Sequence, residues 1–137
     1  MTEAVAVPAA RALIAARGAE GRHHVSATVL TRGGESHIAL NLESGLARAS
    51  VCAEAVAIGM ARAGDPGAVV AFSVAVNRRG EVIPPCGLCR ELLLDYGREA
   101  RVAVPGGADW VALPLAELLP NAYKEALRAR AAEEDAR

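Results

Sequence analysis

The stretch "PPCGLCRELLLDYG", Pro84 to Gly97, decides how this chain is read. Two cysteines three residues apart stand at the mouth of an apolar run that Gly97 closes, which reads as a helix. A Cys-x-x-Cys pair can be a disulfide, a redox switch or half of a metal site. The chain has one further cysteine, Cys52, in "SVCAEAVAIGMARAG", Ser50 to Gly64. Val51, Ala55, Ile58 and Ala61 fall near helical spacing there, Ser50 is the expected N-cap, and Gly64, Asp65 and Pro66 end the run. All three cysteines therefore lie at the starts of predicted helices.

The other elements follow outward from these two. "AARALIAARG" predicts a short amphipathic helix after Pro8, stopped by Gly18. "HVSATVL", the Gly33–Gly34 turn and "ESHIALNLE" predict a hairpin. "AVVAFSVAV" is a continuous apolar run, the mark of a central strand covered on both faces, and Asn77 to Gly80 turns the chain. "RVAVP" and "DWVALPL" predict two more strands. "LAELLPNAYKEALRARAAEED" predicts a terminal helix whose charged end is solvated. The order α-β-β-α-β-α-β-β-α gives an α/β fold, a five-stranded mixed sheet between helix layers.

Composition narrows the function. The 137 residues fit one domain, 1–137, and at 53% hydrophobic can build a core. A formal net charge of -1, with no basic aromatic groove, speaks against a nucleic-acid polymer or a membrane as partner. No apolar run is long enough for a bilayer span, and no secretory signal is read at the N-terminus. Three cysteines are too few for a disulfide scaffold and suit a reducing cytoplasm.

A helix start carries partial positive charge and free N–H groups, which favour thiolate. Thiolates bind zinc, and zinc with three protein ligands leaves a position for a water whose proton comes off near neutral pH. Glu54, two residues past Cys52, can lie beside that position without ligating and can move protons. Against this stand plainer readings. A closed structural site of three cysteines with His23, His24 or His37 is compatible with the composition, and so is thioredoxin-like redox chemistry. Glu54 alone would be an ordinary first-turn glutamate.

"CAE" at 52–54 and "PCGLCRE" at 85–91 resemble the paired zinc motifs of the cytidine deaminase superfamily. "NLES", Asn41 to Ser44, resembles the Asn-x-Glu motif of the small tetrameric cytidine deaminases, eleven residues before Cys52. "ELLPNAY", Glu117 to Tyr123, resembles their C-terminal Glu-Leu-Leu-Pro motif. The resemblance runs from about Val25 to Tyr123. It implies a three-layer α-β-α cytidine deaminase-like fold and one zinc ion per chain on Cys52, Cys86 and Cys89. It implies Glu54 as proton carrier, base contacts from the backbone near Ala53 and Pro85, and sugar contacts from Asn41 and Glu43. It also implies a homotetramer in which Tyr123 reaches a neighbouring subunit's site. The expected reaction is hydrolytic deamination of a small free cytosine nucleoside.

Three departures bear on the substrate. "AEGRHHVSA" replaces the family's Pro-Tyr-Ser-x-Phe segment, with His23 roughly where a Phe stacks on the base. Ala55 stands where most cytidine deaminases have an Arg that offsets the thiolate charge, and Arg90 is a candidate to replace it by donating to the thiolates. The missing Arg and the closing Tyr123 resemble the blasticidin S deaminases, whereas Glu43 resembles the cytidine enzymes. The alternatives are thus a blasticidin S-type deaminase and a zinc-stabilised module without catalysis, and intact Glu54 argues against the last.

Overall fold

A computed structural model describes residues 1–123, 125 and 133–136. Its centre is the apolar run that reads as a buried strand. β3, Val70–Asn77, is covered along nearly its whole length, because helices pack on both of its faces. The hairpin strands β1, Val25–Thr31, and β2, Ser36–Leu40, lie to one side of it. β5, Arg101–Gly106, and β6, Asp109–Pro114, lie to the other, giving the order β2-β1-β3-β5-β6. β3 and β5 run parallel and the other neighbours antiparallel, so the sheet is mixed and five-stranded along this path, as expected. A two-residue strand that the sequence does not announce, β4 (Val82–Ile83), pairs with Ala75 and Val76 of β3.

α1, Glu3–Arg17, covers one face. It starts before Pro8, not after it, and Pro8 sits inside the helix. An interior proline costs about 3 kcal/mol or more, and here burial of Ala6, Val7, Ala10 and Ile14 against Leu30, Phe72, Val74 and Val76 offsets that cost. Two buried hydroxyls fasten the layer: Ser26 donates to the Ala10 carbonyl and Thr28 to that of Ala6.

α2, Ala53–Gly64, and α3, Gly87–Tyr96, cover the opposite face. The core there gathers Val29, Ala57, Ile58, Val70, Leu93, Val102 and Leu115. Gly97 ends α3 at a close approach to β3, where a Cβ would sit 2.5 Å from the Val70 carbonyl oxygen. The expected terminal helix is interrupted: Tyr123, Glu125 and residues 133–135 are helical, but a break at 119–122 separates them from its first turn. α4 is one turn, Leu115–Leu118, because Pro120 removes a donor and restricts Leu119, and Asn121 then takes a left-handed φ of 54°. Most of the charged end of that expected helix lies outside the described residues. No helix among the described residues is long and apolar enough to cross a membrane.

Candidate metal centre and substrate cleft

The cysteines meet because two helices begin at one end of the sheet, where β1 starts and β2 and β3 finish. Cys52, not Ser50, is the N-cap of α2, and Cys86 is the N-cap of α3. Ser50 instead ends a 3-10 turn over Ala47–Ala49, and its hydroxyl accepts from the Ser44 N–H. Neither cysteine caps its own helix through its side chain, so both sulfurs remain available to each other. Three alanines let α2 come this close. Ala53 packs on Ala27 and Ala75, and all three are almost fully buried.

The Sγ atoms of Cys52, Cys86 and Cys89 lie within 4.8 Å of one another, and those of Cys52 and Cys86 are 3.6 Å apart. Tetrahedral zinc with Zn–S near 2.3 Å separates two ligand sulfurs by about 3.8 Å. The donor set therefore fits a soft metal ion with one position left open. The helix starts do not depress the thiols of Cys52 and Cys89. Burial, followed by their own proximity, pushes Cys52 up, and burial together with the Glu54 charge pushes Cys89 up strongly. An added cation is what would displace these protons, since metal binding requires thiolate.

Glu54 is only 5% exposed. Burial raises its carboxyl above the usual range, partly offset by hydrogen bonds with its own backbone N–H and then with Cys89. That direction suits a group that must hold and release a proton near neutral pH. Cys52, Cys86 and Glu54 line a cleft of about 260 Å³ whose other walls include Ala53, Pro84, Asn41, Glu43 and His24.

Several expected residues take unexpected places. Pro84 lines the cleft, whereas the Pro85 carbonyl accepts a 2.9 Å bond from Arg90 Nε. Arg90 also donates to the Leu118 carbonyl at 2.7 Å. It thus ties the cysteine turn to α4 rather than serving the sulfurs. The planar fork of a guanidinium suits two carbonyls at fixed positions.

Asn41 is nearly buried, and its Oδ1 accepts from the N–H groups of His24 and Val25 at 2.8 and 3.0 Å. Its Nδ2 donates to the Arg22 carbonyl and to Glu43 Oε1 at 3.3 and 3.4 Å. It holds the start of β1, lines the cleft and bonds to Glu43 beside it. His24, not His23, lines the cleft, and the His23 ring is turned back onto the Asn41 carbonyl at 2.9 Å. Reading two adjacent histidines at a strand start leaves open which faces the site, and the Asn41 clamp decides it. Tyr123 is 72% exposed and lies outside the cleft of its own chain, with its N–H donating to Glu91.

No protein-family model matches the chain. A Bacillus cereus protein described as blasticidin-S deaminase is 37% identical over 111 residues, covering 76% of this chain and 79% of that protein. The crystal structure of cytidine deaminase from Mycobacterium leprae superposes with a TM-score of 0.76 at 26% identity, over 88% of this chain and 99% of that one. The cytidine deaminase from Bacillus anthracis gives the same score and identity over 96% of each chain. The chain belongs to the cytidine deaminase superfamily. It is a hydrolytic deaminase of that type, and its chemistry is removal of the amine of a cytosine ring.

Proposed function

We propose that the substrate is a free cytosine nucleoside, cytidine or deoxycytidine, converted to the uracil nucleoside with release of ammonia. The observation that carries this reading is the place of Glu54, buried two residues past Cys52 on the wall it shares with Cys52 and Cys86. Cys52, Cys86 and Cys89 would hold one zinc ion, which would supply the Lewis acidity that lets a water lose its proton near neutral pH. Glu54 accepts a proton from the attacking water and gives it to the ring nitrogen beside the reacting carbon, then takes the remaining proton of the new hydroxyl and delivers it to the amine, which departs as ammonia. One C–N bond breaks, one C–O bond forms and one water is consumed, with no change of oxidation state. The backbone at Ala53 and at Pro84–Pro85 faces the base edge. Glu43 faces the sugar hydroxyls, oriented by Asn41.

A second reading, a deaminase of blasticidin S, is favoured by the Bacillus cereus relative. Leu42, Leu46, Leu88 and Tyr123 are all at least half exposed, and this supports assembly of four chains with Tyr123 in a neighbour's site. The unpaired cysteines fit a reducing, cytoplasmic setting. Ammonia release from cytidine, deoxycytidine, cytosine and blasticidin S tests the function. Turnover of the nucleosides ahead of the free base is the expected result. Turnover of blasticidin S alone selects the second reading, and ammonia from none of the four overturns both.

A further inference from the structure

His23 and His24 follow each other just before β1 and have different tasks. The His23 ring bonds to the Asn41 carbonyl at 2.9 Å, and the next side chain, His24, lines the cleft. The His24 N–H is fixed by Asn41 Oδ1 at 2.8 Å, so its ring is carried on a held backbone. The residue is half-buried, and among the described residues no hydrogen bond or ion pair reaches either ring nitrogen. Asn41 on the same wall has no such freedom. An amide side chain offers two acceptor sites and two N–H donors. Oδ1 takes the His24 and Val25 N–H groups, and Nδ2 gives to the Arg22 carbonyl and to Glu43 Oε1, so all four are in use. The side chains left to meet a sugar hydroxyl are Glu43, His24 and Ser50, whose oxygen already accepts from the Ser44 N–H. A carboxylate only accepts, so Glu43 takes a hydroxyl's hydrogen and leaves its oxygen without a donor. An imidazole keeps at least one N–H in either protonation state and can supply that donor.

We propose that His24 is a specificity-determining residue of this site, its ring donating to a sugar hydroxyl whose hydrogen Glu43 accepts. This deepens the reading of the cleft as a nucleoside site and rests on it. His24 and Glu43 are both bonded to the Asn41 amide, one through its backbone N–H and the other through its carboxylate, so one fixed group sets the position of both. Taking away the hydroxyl leaves the imidazole without its partner. The net worth of one such hydrogen bond corresponds to about a two- to tenfold change.

The test measures kcat/KM for cytidine, its 2′-deoxy, 3′-deoxy and 5′-deoxy forms, and cytosine. It uses wild type, His24→Phe, which keeps a planar ring without nitrogens, and His24→Leu, which serves if the Phe variant does not fold. In wild type one deoxy form should fall about two- to tenfold below cytidine, and that gap should narrow in either variant. A wild type indifferent to every hydroxyl, or a gap that both variants leave intact, overturns the proposal. So does a loss in His24→Leu that is equal on cytosine and on the nucleosides and absent in His24→Phe, which marks a ring lying on the base. Calorimetry of the same ligands on zinc-loaded Glu54→Gln protein, with and without His24→Phe, separates this inference from the reading beneath it. A His24-dependent gap in binding with no ammonia from wild type keeps the proposal and removes the deaminase reading of these substrates. Ammonia from wild type with a gap that ignores His24 does the reverse, and no binding of any nucleoside overturns both.

Discussion

Arg90 gives the sharpest test of how the cysteine turn is held. Its guanidinium donates to the Pro85 carbonyl at 2.9 Å and to the Leu118 carbonyl at 2.7 Å, both partly buried. Hydrogen bonds from a charged donor contribute about 1.5–3 kcal/mol each. Partial exposure places these at the lower end, so Arg90→Met, which keeps the apolar stem, is expected to cost about 3 kcal/mol. At about 2.1 cal/mol/K per residue, 137 residues give an unfolding entropy of about 290 cal/mol/K. The melting temperature should then fall by about 10 °C, read by calorimetry on zinc-saturated protein at one fixed concentration. Arg90→Lys separates the two roles this residue can have. A single ammonium cannot bridge both carbonyls, so most of the loss should remain. A melting temperature within about 2 °C of wild type in Arg90→Met refutes the tie. Full recovery in Arg90→Lys would show instead that positive charge near the sulfurs is what counts.

Glu54→Gln is close in shape and should keep its metal while losing about 10²–10⁴-fold or more in turnover; activity near wild type would remove the proton-carrier role. Asn41→Ala strips the acceptor from the His24 and Val25 N–H groups and should cost about 2 kcal/mol in urea unfolding, whereas Glu43→Ala should leave stability alone and hurt nucleosides more than free cytosine. An unchanged unfolding midpoint in Asn41→Ala would contradict the clamp. The Arg11 guanidinium holds Asp109 below the usual carboxylate range and links α1 to β6 at 2.7 Å. A lowered folded-state pKa contributes stability above the unfolded value, about 3.9, which is lost as pH falls through the folded one. Asp109→Asn should therefore flatten the acid limb of the stability profile below about pH 4, and a limb of wild-type slope would exclude that link.

How much of this was legible in the sequence follows from where the deciding interactions lie. The apolar period of β3, the Gly-rich hairpin and the two cysteine-headed helices are local patterns, and they gave the layer order. Pro8 misled because the penalty of a proline is local, whereas the burial of Val7 and Ile14 that offsets it is tertiary. β4 exists because β3 offers Ala75 and Val76 an unpaired edge, which two residues cannot announce. The cysteine cluster and Glu54 stood out through the paired motifs they share with the cytidine deaminases, since the spacing by itself left redox and structural readings open. Arg90, His24 and Asn41 were harder to place, since their partners lie 28, 17 and 16 residues away and only the folded backbone shows which carbonyl or N–H each one meets.

The central claim is that cytosine-nucleoside deamination runs on a metal held by Cys52, Cys86 and Cys89. The most direct measurement titrates zinc into chelated protein and follows bound metal and ammonia release from cytidine in the same samples. Ammonia release should rise in proportion to zinc and stop rising at one ion per chain. Full turnover by protein shown to be free of metal would contradict the account.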